Sequence, residues 1–153
     1  MALKDKASVQ LFKSEGFSLV ELLVVLAIIV IITIIAIPSY FHYTMRAHRA
    51  DGIHSLMSIA LEEEEYRLHQ GVYTGTLNDI WHGAASEAGY YTIALQMLDT
   101  NGSTTNSGEA ATGFQITATA TGVQAGDSDC ATLTLSVNNG SISKTPAKCW
   151  RGS

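Results

Sequence analysis

Hydrophobic and polar positions are unevenly distributed along the 153 residues of this chain. From Phe17 to Ile37 the only ionisable residue is Glu21. No polar face interrupts the run at helical spacing. A helix here is apolar all round and belongs in lipid or inside a bundle of like helices. About 21 residues at 1.5 Å each make a helix of roughly 31 Å, matching a hydrocarbon core of about 30 Å. Beyond Pro38 the pattern turns amphipathic. Ile53, Leu56, Met57, Ala60 and Leu61 fall at i, i+3, i+4, i+7 and i+8, an apolar stripe suited to packing on a sheet. The acidic run Glu62 to Glu65 follows; four consecutive carboxylates cannot share one helix face, so most are expected in solvent. Gly71 is a helix stop. One helix is therefore expected from about Phe17 to His69.

The pattern then changes period. Gly71 to Tyr91 reads as a connecting loop with a short helical turn. "YYTIAL" from Tyr90 is a candidate strand. "FQITATAT" alternates Phe114, Ile116, Ala118 and Ala120 with polar neighbours, and "ATLTLSV" does the same with Ala131, Leu133, Leu135 and Val137. Period two of this kind marks half-buried antiparallel strands. Asn138-Asn139-Gly140 is a turn, and "SISK" from Ser141 a short fourth strand. The polar stretch "LDTNGSTTNSGEAATG" between the first two strands is expected to be an exposed, mobile loop.

Composition sharpens this picture. The 46% hydrophobic fraction is ordinary, but most of the Leu, Ile and Val stand in the first third. A cleavable secretory signal would have a shorter apolar region ending in a small-residue site. "IPSYFHYTMRAHRA" offers none, so the segment is expected to stay on the mature chain. Lys4, Lys6 and Lys13 precede the span and Arg46 and Arg49 follow it, which slightly favours a cytoplasmic N-terminal side. The net charge is −5, with nine Lys and Arg and no basic stripe, so no nucleic-acid partner is expected from bulk electrostatics. The two cysteines, Cys130 and Cys149, sit in no CxxC or Cys/His cluster, so zinc is not expected. An even pair behind a membrane-targeting segment reads as a disulfide in an oxidising compartment, with two unpaired buried thiols as the alternative. Closing a loop of about 20 residues contributes about 3 kcal/mol in the chain-entropy model.

Catalytic chemistry finds no foothold. His42, His48, His54, His69 and His82 are scattered, and HExxH, GxSxG, GxGxxG and P-loop patterns are missing from the sequence. No catalytic residue, cofactor or metal is expected. The chain reads more readily as the substrate of an enzyme than as an enzyme.

Glu21 is the anomaly. A charge deep in a membrane helix costs about 2.5–3.5 kcal/mol on insertion scales, and less near the end of the span. One reading leaves Glu21 at headgroup level, favoured by the helix dipole. In the other, cleavage between Gly16 and Phe17 creates an α-amine four residues before Glu21. Two unit charges about 4 Å apart attract by about 4 kcal/mol at an effective dielectric of 20, enough to set the axial register of one helix against another.

Gly16-Phe17-Ser18-Leu19-Val20-Glu21-Leu22 resembles the processing motif of type IV prepilins. The resemblance covers about Ser14 to Tyr40. It implies a leader of residues 1–16, cleavage by prepilin peptidase after Gly16, and N-methylation of Phe17. It also implies an assembly role for Glu21 and a helix breaker at Pro38. Many pilins have a glycine where this chain has Val30, so the length of any unwound stretch near Pro38 is left open. The implied fold is α+β: a long helix whose membrane and assembly segment occupies 17–41, packed in a periplasmic head of residues 42–153 on a small antiparallel sheet. Removing the first 16 of 153 residues leaves a mature chain of 137. "CATLTLSVNNGSISKTPAKCW" is similar to the end of a minor-pilin group, which implies a Cys130–Cys149 bond with Trp150 over the sheet edge.

The function so implied is that of a structural subunit of a type IV pilus, a minor pilin serving assembly, with twitching motility, adhesion or DNA uptake as the filament's work. Its partners would be other pilin subunits, the peptidase, the inner-membrane assembly machinery, and membrane lipid before assembly. Alternatives are a type II secretion pseudopilin, a major pilin and a single-pass membrane-anchored binding module.

Overall fold

The computed structural model describes residues 16–151; the rest of the implied leader, with Lys4, Lys6 and Lys13, lies outside them. The chain divides into two compact units, one ending at Ser39 and the other beginning at Tyr40. Helix α1, Leu19–Gln70, contributes to both.

In the first unit, every residue from Phe17 to Ser39 is exposed in the isolated chain. The helix assignment continues through Pro38, where a breaker was expected. The ring removes one backbone donor, yet the neighbouring residues keep helical geometry. Glu21 occupies the first turn of α1, where the helix dipole favours a carboxylate. Thr33 satisfies its hydroxyl locally, donating to the Ile29 carbonyl at 2.7 Å.

The second unit, the head, packs the later half of α1 against an antiparallel sheet. Its strands are β1 (Tyr91–Leu98), β2 (Thr104–Thr105), β3 (Gly113–Ala120), β4 (Thr132–Asn138) and β5 (Ser141–Thr145), in the order β2-β1-β3-β4-β5. Alternation places the expected side chains inside. Phe114, Ile116 and Ala118 from β3 and Leu133, Leu135 and Val137 from β4 are buried, while the intervening Thr and Ser face outward or sit half-buried. Burying a side chain of this size contributes about 1.5–3 kcal/mol. The β4–β5 turn uses Asn139 (φ 49°) and Gly140 (φ 76°), the backbone pair that a tight right-twisted hairpin demands. Gly113 matters for a different reason. A Cβ there would stand 2.0 Å from the Val137 carbonyl oxygen, so β3 and β4 meet at a distance only glycine permits.

Two expectations need correction. The first concerns α1. Its core face is formed by Gly52, Ile53, Ser55, Leu56, Ile59 and Glu63, whereas Met57 is 42% and Leu61 72% exposed. Gly52 decides this. A Cβ there would lie 2.9 Å from the Tyr91 ring, so the helix packs tightly on β1 at that point. The positions one, two and three turns on, Leu56, Ile59 and Glu63, then follow it into the core, and Met57 and Leu61 rotate out. The second concerns the polar loop after β1. It contains β2, paired with β1 through Met97–Thr105 and Leu98–Thr104. It is also held by Asp99, whose carboxylate accepts from the backbone N–H groups of Asn101 (2.9 Å) and Ser103 (2.8 Å).

Candidate functional site

Two regions carry the residues singled out by sequence. At the N-terminus, Gly16 and Phe17 precede the first turn of α1, and Phe17 is exposed. At the other end of the chain, Cys130 and Cys149 are joined by a disulfide with a Cα–Cα distance of 5.9 Å. The bond ties the start of β4 to a short 3₁₀ turn, Ala147–Trp150.

The disulfide organises a small cationic surface. Lys148 lies next to Cys149 and Asp129 next to Cys130, and their side chains pair at 2.6 Å. That hydrogen bond and the ammonium charge hold the Asp129 carboxyl below the usual range. Trp150 donates its indole N–H to the Thr145 carbonyl at 3.2 Å, and the Lys144 ammonium sits 5.1 Å from the Trp150 ring centre, a cation–π arrangement. Arg151 is exposed beside them. Between Cys130 and Ser153 stand Lys144, Lys148 and Arg151, and no Asp or Glu.

The other arginines of the head are differently placed. Arg49 grips Asp127 with two hydrogen bonds, of 2.5 and 2.7 Å, and this pairing raises the guanidinium pKa. Asp127 also accepts from the buried Gln124 amide at 3.2 Å. The same amide reaches the Met45 carbonyl (3.0 Å) and the Tyr91 hydroxyl (3.1 Å). This network fastens the segment before Cys130 to α1, which fixes the disulfide and the pairs around it. Arg67 lies 3.4 Å from Glu64 and 5.1 Å from the Tyr73 ring centre. Arg46 remains exposed.

A further anchor is Asp51. It accepts from the Ser86 hydroxyl (2.5 Å) and the backbone N–H groups of Ala88 (2.8 Å) and Tyr90 (3.4 Å), pinning the loop before β1. His48 stacks on Tyr90 at 3.7 Å. Among the described residues no three His, Cys, Asp or Glu side chains converge as metal ligands. In the acidic run, Glu62 and Glu65 are exposed and Glu64 half-buried, as expected for most of the cluster, while Glu63 is fully buried. Burial pushes its carboxyl up to about 7 against the opposing hydrogen bond from the Thr74 N–H, with Glu64 and Asp79 adding to the rise.

Sequence reasoning missed Arg49, Asp51, Gln124 and Asp127, whose partners, the Gln124–Asp127 contact aside, lie 33 to 79 residues away. No local pattern marks them. The cationic C-terminus did have a local signal, the acid-free stretch after Cys130, which an average over the chain conceals.

A helix opening in an apolar, membrane-length segment and closing on an antiparallel sheet, with a disulfide tying down the chain's end, defines a type IV pilin. The chain belongs to the family described as type IV minor pilin ComP, DNA uptake sequence receptor, whose model matches residues 38–134. The prokaryotic N-terminal methylation motif matches residues 11–37 and so includes Gly16, Phe17 and Glu21. The minor-pilin reading is thereby supported over the major-pilin, pseudopilin and anchored-module alternatives. The motif and the apolar helix fit anchoring in the inner membrane before assembly and display on the pilus afterwards. The family's description also runs against the expectation that nucleic acid is no partner.

Proposed function

We propose that this chain is a pilus-borne DNA receptor: a minor pilin whose head binds duplex DNA for uptake. The observation that carries this reading is the match to the DNA-uptake-sequence receptor family across residues 38–134, which lies in the head and not in the N-terminal segment that pilins share. The charge on the head's C-terminal surface supports it. Lys144, Lys148 and Arg151 would meet phosphates, with Lys148 exchanging Asp129 for a phosphate oxygen, and Trp150 would offer a flat apolar surface beside them. The net charge of −5 does not oppose this. Charges beyond about 10 Å are screened at 0.1 M salt, so DNA responds to the local cluster.

Display of that head rests on the N-terminal segment. Prepilin peptidase would cut after Gly16 and methylate Phe17. The new amine would pair with Glu21 of a neighbouring subunit as the apolar helices bundle. Lipid burial is then replaced by helix-to-helix burial, which makes extraction from the membrane feasible.

Binding of fluorescent duplexes with and without an uptake sequence to the purified mature chain in detergent, from 50 to 200 mM salt, tests the receptor reading. Three phosphate contacts give a slope of log K against log salt of about −2.7. The triple variant K144A/K148A/R151A is expected to lose most of that slope on both duplexes. Unchanged affinity and slope in that variant would remove the DNA site from this surface, and no binding by the wild-type chain would remove the receptor reading.

A further inference from the structure

The head begins where the apolar run ends. Tyr40 follows Ile37 closely in the chain, and Tyr40, Phe41 and Tyr43 are all exposed, Tyr43 at 73%. Arg46 is exposed one turn on. From Leu22 to Ala50 the chain has no Asp or Glu. A second segment reaches this end of the head. Ala120, the last residue of β3, pairs with Tyr91, against which Gly52 packs. Beyond Ala120 the 3₁₀ turn Gly122–Gly126 meets α1 at Met45, one residue of α1 that lies roughly 10 Å along the helix from Gly52, toward Tyr40. Gln124 is the only polar side chain of that turn, and it points inward. Its amide donates to the Met45 carbonyl at 3.0 Å and to the Tyr91 hydroxyl at 3.1 Å. Gly122, Val123, Ala125 and Gly126 remain outside, with Val123 73% exposed.

We propose that before assembly this end of the head rests on the phospholipid headgroups of the membrane that anchors the chain. Val123 enters the headgroup layer, Tyr40, Phe41 and Tyr43 form an interfacial aromatic belt, and Arg46 meets lipid phosphate. Continuity with the membrane segment selects the occupant. The headgroup layer adds about 5–8 Å beyond the hydrocarbon core on each side. Tyr40 lies about 4.5 Å and Tyr43 about 9 Å along α1 from Ile37, the level at which amphipathic aromatic rings gather. Met45, which carries the 3₁₀ turn, is at most about 12 Å from Ile37 along the same helix. Helix side chains tilt toward the N-terminus, here the membrane side, so Arg46 reaches back to the phosphates. Charge agrees with this. α1 offers no acid to repel phosphate before Asp51, and Asp127 and Asp129 nearby are paired with Arg49 and Lys148. The uncharged tip around Val123 loses no ion hydration among headgroups, and the bonds of Gln124 and Asp127 to α1 fix it in place. This contact does not depend on the DNA-receptor reading.

Fluorescence quenching of the full chain, reconstituted in vesicles of phosphatidylcholine and phosphatidylglycerol, tests this placement. A fluorophore is attached at Val123→Cys, Tyr43→Cys or Ser141→Cys, and the quencher is a phosphatidylcholine with a nitroxide on its headgroup. All three positions are exposed, so the label disturbs no core contact. Ser141 pairs with Asn138, which pairs with Gly113, at the other end of β3 from Ala120 and about 23 Å along the strand. Quenching at Val123 and Tyr43 is expected to exceed that at Ser141 at least about threefold, given that separation. Adding Arg46→Glu is expected to cut the quenching at Val123 at least about twofold, since it replaces attraction to phosphate by repulsion. Quenching at Val123 no greater than at Ser141 would overturn the proposal, even with Tyr43 quenched, because the head would then stand clear of the lipid. Quenching at Val123 that Arg46→Glu leaves unchanged would overturn it as well.

Discussion

Glu63 gives the head a built-in pH dependence. The carboxylate is buried, one oxygen accepts the Thr74 N–H at 3.2 Å, and the other has no partner among the described residues. Glu64 and Asp79 face it with like charge. Burial raises its pKa from the ordinary 4.5 to about 7. The folded chain therefore keeps a proton that the unfolded chain releases above about 4.5. The stabilisation from this group is complete below that pH and is lost as pH rises to about 7, beyond which the curve is flat. The gap corresponds to about 3 kcal/mol, falling at about 1.4 kcal/mol per pH unit. Glu63→Gln removes the titration while keeping an oxygen for Thr74. It also buries an amide donor, which costs roughly 1–3 kcal/mol if unpaired, so the slope is the informative quantity and not the absolute stability. Urea unfolding of the head, residues 40–153, read by Trp81 and Trp150 fluorescence, supplies the assay; every core residue and the disulfide lie inside that fragment. Between pH 4.5 and 7.5 the wild-type midpoint is expected to fall relative to the variant by about 1 M or more. Carboxylates common to both proteins cancel in the difference. Parallel midpoints across that range would refute the assignment.

Two further outcomes follow from the packing and the N-terminal charge. Gly113→Ala places a methyl group 2.0 Å from the Val137 oxygen and 2.7 Å from the Asn138 Cα, so β3 and β4 must separate. A loss of at least about 2 kcal/mol, seen as a thermal midpoint lower by about 10 °C, is expected; a midpoint unchanged by calorimetry would contradict that close approach. Glu21→Ala removes the acid that would meet the amine of a neighbouring Phe17. Quantitative immunoblotting of sheared pili is expected to show incorporation reduced at least about tenfold at equal membrane levels, and normal incorporation would sink the pairing.

Much of this protein is written in short-range pattern. The apolar run from Phe17 to Ile37, the alternation in β3 and β4, the Asn139-Gly140 turn and the cysteine pair are each legible within twenty residues, because helix period, strand period and turn chemistry are local properties. The face of α1 was not legible. Two overlapping apolar stripes exist in its amphipathic half, and the contact of Gly52 with Tyr91 chooses between them. The same choice buries Glu63 and turns Met57 and Leu61 outward. The grip of Arg49 and Gln124 on the segment before Cys130 joins positions 78 and 79 residues apart, and no periodicity reports such pairs. Net charge carries little information on partners for a related reason: it sums over the chain, whereas an interface senses only the charges within a screening length. Local order determined which elements form; burial and close approach, properties of the packed whole, decided which faces and which charges are left for a partner.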